Sequence, residues 1–233
     1  MVRLLLARGL IVGALGGVLA FVVASVLGEP QLQHAIDVEG AGGTALVSRG
    51  VQRSIGLLTG TVVMGAALGG FFALVFAWAY GRLGTFGPRT LAALLGAGAF
   101  LTITLVPFTK YPANPPGVGD PDTIDQRTAL FAAMIAISLL AAVAAWRIRR
   151  VLLARWGAWA AGLTAIGAYV VLVAVAQLIL PAVHETPAAF PADVLYRFRL
   201  ASLAINLTLW STIGLGFGAV AERPCPRHAL RAR

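Results

Sequence analysis

Apolar residues fall in six long runs separated by short polar stretches. The runs are Leu10 to Leu27, about Ile55 to Tyr80, Leu91 to Phe108, Ala129 to Trp146, Trp156 or Gly157 to Leu180, and Leu200 to Val220. A helix needs about 20 apolar residues to cross a bilayer, and these runs are of that order. None alternates strictly between apolar and polar positions, which excludes the dyad pattern of a membrane β-barrel. The pattern predicts an all-α, polytopic integral membrane protein: a bundle of six transmembrane helices forming one domain over residues 1–233. The first run follows Arg3 and Arg8, as a signal peptide would, but it exceeds the ~7–15 residues of a cleaved apolar segment. It is read as a retained span.

Composition agrees. Of 233 residues, 59% are hydrophobic and only 12% charged, about half the charge of a soluble domain. The net charge of +9 would suggest nucleic acid in a soluble chain. Here it sorts by loop. Twelve arginines, from Arg3, Arg8, Arg82 and Arg89 through Arg147, Arg149, Arg150 and Arg155 to Arg223, Arg227, Arg231 and Arg233, fall on one expected side. Six basic residues (Arg49, Arg53, Lys110, Arg127, Arg197, Arg199) fall on the other, with eight of the nine acids. Basic residues stay inside, so both termini are expected in the cytoplasm. Nucleic acid is not an expected partner. The single cysteine, Cys225, excludes a disulfide framework.

Small residues recur at four-residue spacing in Gly9/Gly13/Gly17, Gly56/Gly60, Gly65/Gly69 and Gly214/Gly218. This spacing lets membrane helices approach closely. Trp78, Tyr80, Trp146, Trp156 and Trp159 stand at inner span ends, as in an interfacial aromatic belt. No Asp, Glu, Lys, Arg or His stands at the middle of a run. A proton relay through a buried carboxylate, a metalloprotease H-E-x-x-H and a phosphate-binding G-x-x-x-x-G-K-[ST] are all missing, so no catalytic residue is assigned and the chain is read as a non-enzyme. Thr102, Thr104, Gln177 and Asn206 are the candidates for a polar path at depth. The alternative is that they bond helix to helix.

Candidate chemistry lies in three outer segments. The first has Glu29-Pro30, His34, Asp37, Glu39 and Arg53; the second has Asp120, Asp122, Asp125 and Arg127; the third has His184, Glu185, Asp193, Arg197 and Arg199. Imidazole with carboxylate suits borderline divalent metals. His34, Asp37, Glu39, Asp120, Asp122, His184 and Glu185 are the candidate metal ligands. If His34 to Asp37 is helical, the i, i+3 spacing puts both on one face. Asp125 with Arg127, Asp193 with Arg199 (or Arg197), and a first-segment acid with Arg53 are candidate structural ion pairs. Lys110-Tyr111-Pro112-Ala113-Asn114-Pro115-Pro116 is too proline-rich for a helix and predicts a stiff, extended piece.

The strings KYPANPPGVGDPDTIDQRT (from Lys110) and FPADVLYRFRLASL (from Phe190), with GEP at Gly28–Pro30, resemble the CbtA-type family of predicted cobalt transporter subunits across nearly the whole chain. The resemblance implies a permease subunit of the bacterial inner membrane for uptake of a divalent cation, cobalt, tied to cobalamin supply. It implies no permanent cofactor, with Co2+ or Ni2+ as the transported ion. Expected partners are membrane lipid and a small single-span subunit with a histidine-bearing tail; further copies of this chain are an open alternative. The alternative function is a non-transporting scaffold or assembly subunit of an uptake complex.

Overall fold

A computed structural model describes residues 2–39, 47–115, 118–183, 186–187 and 190–222. Among these every regular element is helical. The elements are α1 (Val2–Val23), α2 (Glu29–Glu39), α3 (Arg49–Val51), α4 (Leu57–Ala79), α5 (Pro88–Ala99), α6 (Val106–Lys110), α7 (Ile124–Ile179), α8 (Ala192–Ser211) and α9 (Phe217–Ala221). A short 3-10 turn, Pro121–Thr123, precedes α7, and π turns at Ala24–Gly28, Gln52–Gly56, Phe100–Leu105 and Thr212–Gly216 join successive helices into longer ones.

Among the described residues five helices are long and apolar enough to cross a membrane: Val2–Asp37, Arg49–Ala79, Pro88–Lys110, Ile124–Ile179 and Ala192–Ala221. The expected bundle of six is corrected to five, and with it goes the even count that agreed with both termini on one side. The runs expected as fourth and fifth spans lie in the single 56-residue element α7. Its Gly157 has φ 75 and ψ 170, a left-handed region that a residue with a Cβ adopts only under strain. An apolar pattern shows where lipid-compatible stretches lie, but not how the chain passes from one to the next, which here is at Gly157 within one element.

Four of the five long helices contain a π turn. Two of these turns end just before a proline, Pro30 and Pro107. Proline removes an N–H and its ring crowds the carbonyl four residues back. A widened turn there lets the helix continue, and π turns of this kind recur at functional sites. The first apolar run ends at Leu27, whereas the helix continues through Pro30 to Glu39.

The fold divides into two compact units, Met1–Phe100 with Pro191–Arg233, and Leu101–Phe190. In the first unit α1 packs against α4 along glycines. A Cβ on Gly9, Gly13 or Gly17 would collide with the carbonyl oxygens of Gly69, Gly65 and Thr61 in turn. The order of these partners makes α1 and α4 antiparallel. Gly96 and Gly214 meet similarly, a Cβ on Gly96 falling 2.8 Å from Gly214 Cα. Gly56 and Gly60 are different: both are exposed, and Gly60 has nothing within 4 Å of a Cβ position. Near the N-terminal end of α1 along this seam, Phe72 and Phe76 each make an edge-on contact with Phe217, at 5.5 and 5.1 Å. Arg89 and Glu222 pair at 2.6 Å, well exposed, which contributes ~0–1 kcal/mol at most.

In the second unit α7 packs against itself. Met134 and Ala141 from its first half share a core with Val173 from its second, joined by Val106 and Tyr111. Large exposed hydrophobics such as Ile11, Leu15, Phe71, Leu140, Leu178 and Ile179 line the long helices. In water such surface would aggregate; in a bilayer it faces lipid.

Candidate functional site

α2 carries His34 and Asp37 three residues apart on one helix, both exposed. Asp37 accepts a hydrogen bond from Gln33 Nε2 at 2.9 Å. The side chain of Glu39 lies outside the described residues, as do His184 and Glu185 entirely. Glu29 pairs with Arg49 Nη2 at 3.0 Å, with side-chain exposures of 17% and 32%. Arg49 Nη1 also donates to Gln52 Oε1 at 3.3 Å. Sequence reasoning offered Arg53 as partner of a first-segment acid; Arg49 takes that place for Glu29, and Arg53 is exposed. No local pattern signals this pair, which joins positions 20 residues apart.

In the segment before α7 Asp120 shapes the backbone. Its Oδ1 accepts the Asp122 N–H at 3.0 Å, and its carbonyl accepts from Thr123 N and Oγ1 at 3.2 and 2.9 Å. These bonds hold the first turn of the helix that follows, as a capping side chain does. Arg127 reaches back from α7 to the carbonyls of Val118 at 3.4 Å and Asp120 at 3.3 Å. Asp122 and Asp125 are exposed. The stretch Tyr111–Pro115 has no helix, as its prolines require. Tyr111 is buried at 8% exposure and donates its hydroxyl to Pro181 O at 2.8 Å. Desolvation by burial raises its pKa.

Asp193 is exposed in the first turn of α8, where a carboxylate complements the positive end of the helix dipole. Arg199 is half-buried one turn and a half further on. Of the polar-path candidates, Thr102 and Thr104 are buried in the π turn Phe100–Leu105. Gln177 Nε2 donates to Thr109 Oγ1 at 2.7 Å and weakly to Val106 O at 3.5 Å. Asn206 instead bonds the carbonyl of Ser202 in its own helix at 3.0 Å. Thr109 was not among the sequence candidates; its i, i+3 bond back to Val106 O at 2.7 Å is invisible without knowing that Val106–Lys110 is helical. Among the described residues no group of three or more His, Cys, Asp or Glu side chains stands close enough to hold a metal ion.

Long apolar helices with lipid-compatible surfaces define a polytopic α-helical membrane protein. The chain belongs to the family described as probable cobalt transporter subunit (CbtA), whose model matches residues 2–222. It is thus a multi-pass transporter subunit of the bacterial inner membrane, in a family of transporters and not of catalysts. No curated protein and no solved structure matches the chain.

Proposed function

We propose that this chain is the permease subunit through which a divalent cation, Co2+ with Ni2+ as the alternative, enters the cell. Membership of the transporter-subunit family over residues 2–222 carries the reading. The exposed carboxylates of Asp37, Asp120 and Asp122, with His34 and with Glu39, His184 and Glu185, gather the cation before entry. Exposed anionic side chains raise the local concentration of a cation and its rate of arrival. Three histidines in the whole chain are few for metal capture, so a small single-span subunit with a histidine-bearing tail supplies the remaining imidazoles.

The test is cobalt influx into liposomes holding the purified chain together with that subunit. Saturable influx is expected, lowered at micromolar cobalt when His34 and His184 are both replaced by alanine. An intact complex that admits no cobalt or nickel would mean a scaffold and not a permease.

A further inference from the structure

Glu29 differs from the other acids. Every other Asp or Glu whose side chain is described is exposed, whereas the Glu29 side chain is 17% exposed. It stands two residues past the first apolar run, where the long helix Val2–Asp37 turns polar. Its counter-charge, Arg49, comes from 20 residues away and opens the next long helix.

Two polar atoms beside this pair are buried with no hydrogen-bond partner among the described residues: Ser25 Oγ and Arg49 Nε. Ser25 stands one turn before Glu29, on the same helix face, within the π turn Ala24–Gly28. Glu29 N–H bonds Ala24 O across that turn. Pro30 has no N–H to give, so the carbonyls of Ser25 and Val26, five and four residues back, lose the donor that position would supply in either helical register. One helical turn therefore gathers a carboxylate, an unpartnered hydroxyl and a backbone carbonyl short of a donor. All are oxygen ligands. Buried polar groups left without partners are rare enough to require an explanation.

We propose that Glu29, with Ser25 and this freed carbonyl, is a transit site for a divalent cation, and that Arg49 is a tethered cation holding the site until metal displaces it. The inference rests on the permease reading above. Arg49 neutralises the shielded carboxylate when no metal is present, which avoids the cost of a lone buried charge. An arriving divalent ion brings twice the charge of the guanidinium. Arg49, a third exposed at the end of its helix, swings toward water. Its returning charge then competes with the metal, which keeps binding weak enough for release, as conduction requires. Oxygen ligands serve that end, since imidazole would hold cobalt more tightly.

The experiment is a CoCl2 titration of the thermal stability of the purified full-length chain, as wild type, Glu29→Gln, Arg49→Gln and Ser25→Ala, paired with influx measurements on the same variants in vesicles with the partner subunit. Wild type is expected to be stabilised by CoCl2. Arg49→Gln should move the midpoint to lower CoCl2 and Glu29→Gln to higher, each by about tenfold, the step in affinity given by one charge-assisted contact. Ser25→Ala leaves the ion pair intact and should also raise the midpoint, which keeps the test open if Glu29→Gln does not fold. Equal loss of basal stability in Glu29→Gln and Arg49→Gln, with CoCl2 midpoints as in wild type, would show a structural clasp and overturn the site. A raised midpoint in Arg49→Gln would overturn the role of the tethered cation. Wild-type influx that persists with unchanged midpoints in all three variants sinks the site and spares the permease; metal binding without influx sinks the permease and spares the site.

Discussion

Ser138 and Tyr169 share a hydrogen bond of 2.9 Å between their hydroxyls although 31 residues of one helical element separate them. A straight helix would hold them about 46 Å apart. The chain therefore turns back on itself, and Gly157, at φ 75, supplies the backbone conformation that a Cβ disfavours. Gly157→Val should lower stability by ~1–3 kcal/mol from backbone strain alone. Tyr169→Phe should cost about 1 kcal/mol by leaving the buried Ser138 hydroxyl without its partner. Thermal unfolding of the purified variants in detergent checks both; a Gly157→Val protein as stable as wild type would mean that the turn lies elsewhere.

The glycine seam gives a sharper contrast. A side chain at Gly13 meets the backbone of Gly65 and Gly69, which cannot step aside, whereas Gly60 has open space around it. Gly13→Val should prevent accumulation of folded protein, since overpacking against backbone moves a whole helix. Gly60→Ala should be neutral or stabilise by ~0.5–1 kcal/mol through helix propensity. Comparing yields of folded protein from membranes, equal effects at the two positions would break the seam model.

These two glycines show what the sequence could and could not reveal. Four-residue spacing identified Gly9, Gly13, Gly17, Gly65 and Gly69 as close-approach positions, and they are. The same spacing at Gly56 and Gly60 carried no such contact, because periodicity marks a face but not whether anything faces it. The all-helical membrane class was legible from hydropathy alone. The span count was not, because it depends on how α7 passes through Gly157. Among site residues, the helical spacing of His34 and Asp37 was legible. Glu29 with Arg49 and Gln177 with Thr109 were not, because each joins positions 20 and 68 residues apart through packing that no local pattern encodes.

Tyr111 makes stability depend on alkaline pH. Its hydroxyl must keep its proton to donate to Pro181 O, and burial raises its pKa. A raised folded-state pKa means the contribution is whole below the unfolded value near 10 and is lost as pH rises through the folded value. Wild type should therefore lose stability above about pH 10 more steeply than Tyr111→Phe, which should itself be ~1 kcal/mol less stable at neutral pH. Parallel pH profiles for the two proteins would show that Tyr111 contributes no such linkage.

The segment before α7 separates a structural residue from a candidate metal-handling one. Arg127 ties the backbone at Val118 and Asp120 to the start of α7, and Asp120 caps the turn between them. Asp122 accompanies them in sequence, but its side chain is exposed. Arg127→Gln removes charge-assisted bonds to the Val118 and Asp120 carbonyls, and should cost ~1–2 kcal/mol of stability. Asp122→Asn removes one charge from an exposed anionic group, so it should leave thermal stability unchanged while raising the cobalt concentration needed for half-maximal influx. Salt should mask the second effect, because exposed charges are screened over about 8–10 Å at physiological ionic strength. A folded Arg127→Gln protein of normal stability that fails to transport would move Arg127 from the clasp to the transport path, and an Asp122→Asn protein with unchanged half-saturation at low salt would remove Asp122 from the entrance.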